Sequence, residues 1–172
     1  MTTFKILQYP NAHLQRKGHK VVQIDDRIRS IIKGMFETHY KTENCAALAA
    51  TQLDMRNPPH ITVIDFSDQK NEPLCLINGE IIKHEGETYE AEGCMSVGGV
   101  YEKVKRYTAI IVRAWNEAGE SMEFTASGFM AKCIQHELDH LNGMLFIDRL
   151  SALKRARIDK KLDRRRRSDE NK

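Results

Sequence analysis

The sequence lacks any long hydrophobic run, and nowhere does it approach the roughly 18 consecutive apolar residues of a membrane-spanning helix. Its first residues, MTTFKILQYPNAHL, lack the basic start and apolar stretch of a secretory signal and the arginine-rich character of a transit peptide. Internal repeats and low-complexity linkers are missing too. These absences argue against membrane-spanning, exported and repeat proteins, so we expect a cytoplasmic protein with no membrane partner.

Cysteine is also scarce, with four widely spaced residues in a chain of 172. Because no export signal is present, a disulfide framework is not expected and free thiols are the default. Most such thiols behave as small buried apolar side chains. A cysteine with a functional role therefore has to be identified from its neighbours.

The charge of the chain is uneven along its length. The net charge is +3, yet residues 151–172 hold ten Lys or Arg against four Asp or Glu. We expect one domain over residues 1–150, large enough to bury a core, followed by a basic helix or tail over residues 151–172. Such a basic cluster is typical of segments that contact phosphate backbones. No aromatic residue interleaves with the basic residues, which argues against stacking on bases and sequence-specific recognition of nucleic acid.

The sequence predicts three helices. Apolar residues recur every three or four positions after Asp25, which indicates a surface helix with an acidic cap. Ser127 is expected to cap a second helix over residues 128–141, and a charged helix starts near Ser151.

Between the first two helices the pattern predicts short strands. Residues 61–66 and 74–77 are apolar and β-branched, and Asn78-Gly79 predicts a tight turn after the second of them. Residues 106–115 and 121–126 are expected to form a hairpin. The sequence therefore predicts an α+β fold, with antiparallel β-sheets around the helix over 128–141.

The helix over residues 128–141 contains HELDH at 136–140, an HExxH motif. Residues four apart lie on one face of a helix, so His136 and His140 can bind one metal ion, with Glu137 turned toward the same side. A carboxylate in that position is suited to accept a proton from an attacking water. The motif therefore predicts a metal hydrolase, and the alternative is a pair of hydrogen-bonded core histidines.

Most of this helix is expected to be covered by protein. At about 100° per residue, Phe129 and Cys133 fall on the His136 side, within a broad apolar arc. We expect Phe129 and Cys133 to form part of the wall of a substrate pocket, with ordinary core packing as the alternative. Only Lys132, Gln135 and Asp139 lie outside the arc.

The third metal ligand decides the class of enzyme, because a catalytic metal usually takes three protein ligands. A metzincin would have a histidine where this chain has Phe146, and the only glutamate after His140 is Glu170, in the charged tail. A general metallopeptidase therefore becomes a weaker alternative. The ligand is expected upstream, where Cys94 is flanked by Gly93, a residue that permits close approach of a backbone.

Three stretches, LAATQ at 48–52, EGCMS at 92–96 and HELDH at 136–140, resemble the signature motifs of the peptide deformylase family in order and separation. The resemblance covers nearly the whole chain, from ILQYPNAHL near the start to LFIDRLS after the helix. It implies a catalytic domain that removes the N-formyl group from the initiator methionine of newly made polypeptides and releases formate.

The resemblance also implies roles for individual residues. The metal would be Fe(II), with zinc, nickel or cobalt able to occupy the site, and its ligands would be Cys94, His136 and His140. Glu137 would act as general base and then as acid. The side-chain amide of Gln52 and the backbone N–H of Met95 would donate to the oxyanion. The nascent peptide would pair like an added strand with the segments around the first two motifs.

Some positions depart from the family pattern. The first motif normally begins Gly-x-Gly, and Cys45 and Ala47 replace both glycines. A methyl group at Ala47 is expected to crowd the peptide, and Cys45 would be strained at a positive φ. Val97-Gly98-Gly99 follows the second motif where many members have a proline, and Tyr101 stands where many have arginine. A shifted or reduced peptide specificity is therefore an alternative.

The basic C-terminal helix resembles family members in which this helix docks on the ribosome. The sequence thus predicts a ribosomal partner in addition to formylmethionyl nascent peptides. A non-catalytic ribosome-associated protein that kept the fold is a further alternative, and a solvated terminal helix without a partner is the simplest one.

Overall fold

The computed structural model of the chain describes residues 3–170. Three α-helices form where the hydrophobic spacing predicted them: α1 over Asp26–Lys41, α2 over Gly128–Leu141 and α3 over Ala152–Glu170. The predicted acidic cap of α1 is present, because the Asp25 carboxylate accepts a 2.8 Å hydrogen bond from the backbone N–H of Ile28.

Seven strands lie between α1 and α2. They are β1 Ala47–Ala49, β2 Ile61–Ile64, β3 Leu74–Glu85, β4 Thr88–Cys94, β5 Val97–Arg106, β6 Ala109–Trp115 and β7 Ser121–Ser127. Five of them form one antiparallel sheet in the order β1-β2-β3-β6-β7, and β4 and β5 form a separate hairpin. The predicted β6–β7 hairpin is confirmed, whereas the strand pattern had not indicated β5.

The tight turn predicted at Asn78-Gly79 is wrong. Strand β3 runs through both residues, and the pairing with β6 shifts at this point, which makes an irregularity in the strand instead of a hairpin. Asn78 has a φ of 54°, and its side-chain amide forms hydrogen bonds of 2.9 and 2.7 Å with the backbone of Val21. A partner far away in the sequence therefore holds the left-handed conformation within the strand.

Helix α2 lies between the two sheets. Its apolar residues, including Ile134 and Leu138, pack with Leu76 and Val112 of the five-stranded sheet. Gly79 of that sheet approaches so closely that a Cβ there would lie 3.2 Å from Leu138. The opposite side of α2 faces the β4–β5 hairpin, to which it is joined by polar contacts.

The other two helices cover the outer surfaces. Helix α1 packs Ile28, Ile32 and Met35 against β2 and its neighbours. Helix α3 packs Ile158 and Leu162 against a cluster that includes apolar residues of β5. The predicted α+β architecture, with a central helix and a C-terminal helix, is confirmed. Within the described residues, no helix combines the length and apolar character of a membrane span.

Two expectations for the surface of α2 are wrong. Gln135 and Asp139, expected outside the covered arc, are 6% and 8% exposed, because the end of β5, the residue after it and the chain after α2 cover them. Phe129, expected within the arc, is 49% exposed and packs edge-on against Phe66 at 4.8 Å between ring centroids. The helix is wrapped on every side near its middle and open at its first turn.

Candidate metal centre

Two elements bring the three predicted ligands together. Cys94 is the last residue of β4, and His136 and His140 lie one turn apart on α2. The Sγ atom of Cys94 is 3.3 Å from Nε2 of His140, which is 3.1 Å from Nε2 of His136. All three donor atoms lie within 4.8 Å of one another. The Cys94 sulfur of β4 and two imidazoles of α2 thus lie close together.

The donor set fits a transition-metal cation. In a tetrahedral site with the usual metal–sulfur and metal–nitrogen bond lengths, neighbouring donor atoms lie about 3.3–3.6 Å apart. The distances of 3.3 and 3.1 Å between Cys94, His140 and His136 approach that range. Three protein ligands also leave one position for substrate or water, as in catalytic sites.

A carboxylate fixes the orientation of His136. Glu92, 6% exposed on β4, lies 2.9 Å from Nδ1 of His136, so the other ring nitrogen, Nε2, faces Cys94 and His140. A histidine that binds metal commonly has such a partner on its second nitrogen, which selects the tautomer and raises ligand basicity.

Glu92 belongs to a buried ionic network. Arg106, at the end of β5, donates to both oxygens of Glu92 at 2.6 and 2.9 Å and to Asp139 at 2.6 Å. Asp139 also accepts two hydrogen bonds from Arg149, of 2.5 and 2.6 Å. Sequence reasoning missed Arg106, Asp139 and Arg149, which connect β5, α2 and the chain after α2. The network holds His136 from the side opposite the ligand cluster.

Burial and neighbouring charges shift the pKa values of this cluster. Burial lowers the pKa of His136, but hydrogen bonds with Cys94 and Glu92 outweigh it and raise that pKa to about 10. Burial, with a smaller effect of His136, lowers the pKa of His140 well below its usual value. Burial raises the pKa of the Glu137 carboxyl to about 7. A carboxyl with a pKa of about 7 can exchange a proton near neutral pH.

Glu137 has an oxygen without a partner. The residue is 4% exposed, and its buried Oε2 forms no hydrogen bond with any described residue. A buried carboxylate oxygen without a protein partner is unusual and indicates a functional ligand, such as water or substrate. Glu137 lines the same cleft as Cys94 and His136.

The first motif places an amide at the same centre. Gln52 ends a 3-10 turn over Ala50–Gln52 directly after β1. Its Oε1 accepts a 2.9 Å hydrogen bond from the N–H of Ala49, which turns Nε2 toward Ser96 Oγ at 3.2 Å and Cys94 Sγ at 3.6 Å. The donor of the Gln52 side chain therefore points at the ligand cluster.

One cleft of about 430 Å³ opens onto the centre. All the predicted site residues except His140 line it; the predicted substrate contacts among them are Ala47, Gly93, Phe129 and Cys133. A larger cleft of about 1130 Å³ lies beside the other face of α2, and its lining includes none of the three ligands. The smaller cleft is the one whose chemistry matches the motifs.

The two residues that replace glycines adopt ordinary backbone conformations. Positive φ falls on Asn44, at 55°, and neither Cys45 nor Ala47 is among the described residues with positive φ. The expected strain at Cys45 is therefore absent, and its side chain packs in the core at 2% exposure. Ala47 is 7% exposed, and its position on the cleft wall leaves the expected steric effect on a peptide as a prediction.

Residues 3–156 match the family model described as polypeptide deformylase. The chain belongs to this family. Peptide deformylase 1 of Coxiella burnetii is 62% identical over 165 residues, which cover 95% of this chain and 97% of that relative. A peptide deformylase of Pseudoalteromonas translucida is 49% identical over 164 residues, covering 95% of this chain and 96% of the relative.

Solved deformylase structures have the same fold. The crystal structure of a peptide deformylase from Legionella pneumophila matches with a TM-score of 0.90 and 37% identity, covering 99% of each chain. A peptide deformylase from Ehrlichia chaffeensis in complex with actinonin matches with a TM-score of 0.87 and 30% identity, covering 96% of this chain and 98% of that one. The predicted enzyme class is confirmed: a metal-dependent hydrolase that removes the N-formyl group from the initiator methionine of nascent polypeptides.

Proposed function

We propose that Cys94, His136 and His140 bind the catalytic metal and that the physiological ion is Fe(II). The convergence of their donor atoms within 4.8 Å is the observation that supports this assignment most strongly. Zinc, nickel and cobalt suit the same ligands, since imidazole and thiolate bind all of these ions. When bound, the cation supplies a Lewis acid at the reaction centre.

Glu137 is the proton carrier of the proposed reaction. Its unpartnered Oε2 and the raised pKa of its carboxyl suit a group that accepts a proton from the attacking water and later delivers it to the leaving amine. Because the residue is buried, bulk water competes little for that proton.

Gln52 and Met95 are the proposed donors to the oxyanion that forms at the formyl carbon. Gln52 is fixed by the N–H of Ala49, so its Nε2 is oriented before the substrate arrives. Met95 follows the ligand Cys94 directly, and its carbonyl accepts a 2.9 Å hydrogen bond from Gln8. This contact limits rotation of the backbone from which the Met95 N–H extends.

The peptide is proposed to bind as an added strand. β1 is an edge strand of the five-stranded sheet, so one of its sides offers unpaired backbone groups. Ala47 on that strand and Gly93 on β4 both line the cleft. Phe129 and Cys133 of α2 also line the cleft and are the proposed wall for the methionine side chain.

We further propose a catalytic domain over residues 1–150 and a ribosome-binding function for residues 151–172, in the cytoplasm. The outward face of α3 contains Arg157, Lys160 and Arg164, which are exposed and form no ion pair with any described residue. Their spacing places them along one stripe of the helix. A stripe of unpaired cations suits the phosphate backbone of RNA.

Formate release tests the proposed site. The protein is purified anaerobically, its metal content is measured, and hydrolysis of a formyl-Met tripeptide is compared with that of the Glu137→Gln variant. We expect one metal ion per chain in both proteins and a loss of kcat of about 10²-fold or more in the variant, because the proton carrier is removed while the ligands stay. A variant with normal turnover, or a wild-type chain that binds no metal, would refute these assignments.

A further inference from the structure

The segment Met95–Gly99, here called the rim segment, connects the metal centre to the outer edge of the cleft. It follows the ligand Cys94 directly, and Met95, Gly98 and Gly99 line the cleft. A peptide bound in this cleft can contact these three residues. The conformation of the rim segment therefore affects how the peptide is held.

Four carbonyl groups of the rim segment accept hydrogen bonds from outside its own hairpin. The Gln8 side chain donates to the Met95 carbonyl at 2.9 Å, and the Tyr9 N–H donates to the Ser96 carbonyl at 2.8 Å. The remaining two donors come from α3. Arg165 Nη1 donates to the Gly98 carbonyl at 3.3 Å, and Lys161 Nζ donates to the Gly99 carbonyl at 3.3 Å.

The glycine pair gives the outer half of the rim segment more backbone freedom than other residues would. Glycine has more backbone freedom than any other residue, so fixing two in a row costs more conformational entropy than fixing other residues. Gly99 has a φ of 70°, a conformation that residues with a side chain rarely adopt. The pair contributes no side chain that could anchor it, so external donors are the means of holding it.

Arg165 fits against the glycine pair. A Cβ built on Gly99 would lie 2.3 Å from Nη1 of Arg165, so the guanidinium occupies the space that a side chain at residue 99 would take. The missing side chain at Gly99 and the arginine on α3 are therefore complementary.

Helix α3 is anchored well enough to deliver these donors. Ile158 and Leu162 are buried against β5 and its neighbours. Ile158 lies about one turn before Lys161, and Leu162 lies about one turn before Arg165. Asp159 accepts a 2.8 Å hydrogen bond from the Tyr9 hydroxyl. Tyr9 also donates through its N–H to the rim segment, so α3 and the N-terminal segment hold it together.

We propose that Lys161 and Arg165 are positioning residues for deformylation, which hold Gly98 and Gly99 in the conformation that binds the peptide beyond its formylmethionine. The inference rests on the proposed function of the cleft. It makes α3 part of the substrate site, in addition to the ribosome contact proposed for its outward face. Met95, closer to the metal, is held by Gln8, so the chemical step depends less on α3.

The test compares two double variants of the full-length, metal-loaded enzyme. Lys161→Ala with Arg165→Ala removes both donors. The control, Lys154→Ala with Arg166→Ala, removes the same charge from the same helix. Its side chains pair with Glu102 and Asp163 and do not contact the rim segment, so the control leaves the two donors in place. The substrate is a formyl-Met tripeptide with an amidated C-terminus, which has no carboxylate for an arginine to attract.

We expect KM to rise about threefold to tenfold in the first double variant, as for the loss of two exposed hydrogen bonds, with kcat within about twofold of wild type. The control variant should keep the wild-type KM. An unchanged KM in the first variant, or an equal rise in the control, would overturn the proposal. A wild-type enzyme that releases no formate would instead refute the proposed function of the cleft.

A conservative pair of single variants separates positioning from folding. Arg165→Lys keeps a donor of similar reach, whereas Arg165→Met keeps the aliphatic length without a donor. We expect the lysine variant to have a KM near that of wild type and the methionine variant to show the increase, at similar thermal unfolding temperatures. Equal KM values for the two would contradict the role of the Arg165 hydrogen bond.

Discussion

Helices α2 and α3 are both rich in polar residues, yet they use them in opposite ways. Helix α2 buries Gln135, Glu137, Asp139 and His140, and the side chains of Gln135 and Asp139 form hydrogen bonds with residues outside the helix. Helix α3 buries only Ile158 and Leu162 among its described side chains and leaves most of its charges in solvent. The difference shows that a charged sequence alone does not identify a catalytic element, whereas buried charge is a stronger indication of one.

The two environments differ in energy. A buried ionic group that loses its partner keeps the full cost of its desolvation, whereas an exposed pair exchanges protein contacts for water. Surface ion pairs therefore contribute about 0–1 kcal/mol, far less than the loss of one partner from a buried pair. Substitutions that break a buried pair beside α2 should therefore lower the free energy of unfolding more than substitutions that break an exposed pair on α3.

The largest effect is expected for Arg106. Its side chain is 1% exposed and pairs with both Glu92 and Asp139, so Arg106→Met leaves two buried carboxylates without their common cation. We expect the free energy of unfolding to fall by about 3–5 kcal/mol. Urea unfolding followed by circular dichroism measures this change.

The matched variant is Lys154→Met on α3, which breaks a pair with Glu102 in which the two side chains are 46% and 32% exposed. The free energy of unfolding should fall by less than about 1 kcal/mol in this variant. If the two variants unfolded at the same urea concentration, the contrast between buried and exposed charge would not hold.

The second-largest effect is expected for the reactivity of the cysteine thiols in α2 and the segments around it. Cys45, Cys75 and Cys133 are buried, and burial raises the pKa of the Cys45 thiol to about 12. Cys94 is the only partly exposed cysteine of the described residues and is a proposed ligand. We expect iodoacetamide to modify Cys94 about tenfold faster or more after a chelator removes the metal, because a coordinated sulfur is protected.

Mass spectrometry of the alkylated peptides checks this expectation. Modification mainly at Cys45 or Cys133, or equal rates at Cys94 with and without metal, would contradict Cys94 as a ligand.

The sequence allowed the centre of α2 to be predicted because its determinants are local. The spacing of His136 and His140 places both on one face of any helix, and Ser127 and Gly143 mark its limits. Cys94 was found by elimination of downstream ligands and by the order of the motifs. These signals depend on few contacts outside the segment that contains them.

The failures come from contacts between segments far apart in the sequence. Gln135 and Asp139 are polar and face away from the apolar arc, but Tyr107, Arg106 and Arg149 bury them. Periodicity within α2 has no information on these partners. Asn78-Gly79 has the composition of a turn, and it was the Val21 backbone that determined its place inside a strand.

The third effect tests the wall of the cleft. Ala47→Gly removes a methyl group from β1 beside the metal centre, and we expect kcat/KM for formyl-Met peptides to rise about threefold to fivefold, a change of roughly 1 kcal/mol. The same change should destabilise the strand by about 0.5–1 kcal/mol, since glycine is more flexible when unfolded. If the variant lost only this much stability and its kcat/KM were equal to or lower than that of wild type, Ala47 would not restrict the peptide.

The smallest effect is expected on the outward face of α3. If Arg157, Lys160 and Arg164 contact RNA phosphates, each contributes one ionic contact that salt screens. We expect Arg164→Ala to weaken binding to ribosomes about twofold to threefold near physiological salt and to reduce the slope of log affinity against log salt by about one. Arg164→Lys keeps the charge and should bind as wild type does. Co-sedimentation over a range of salt concentrations measures both quantities.

Deformylation of free peptides should stay unchanged in the lysine variant. If wild type, Arg164→Ala and Arg164→Lys all gave the same salt slope, the outward face of α3 would not contact the ribosome.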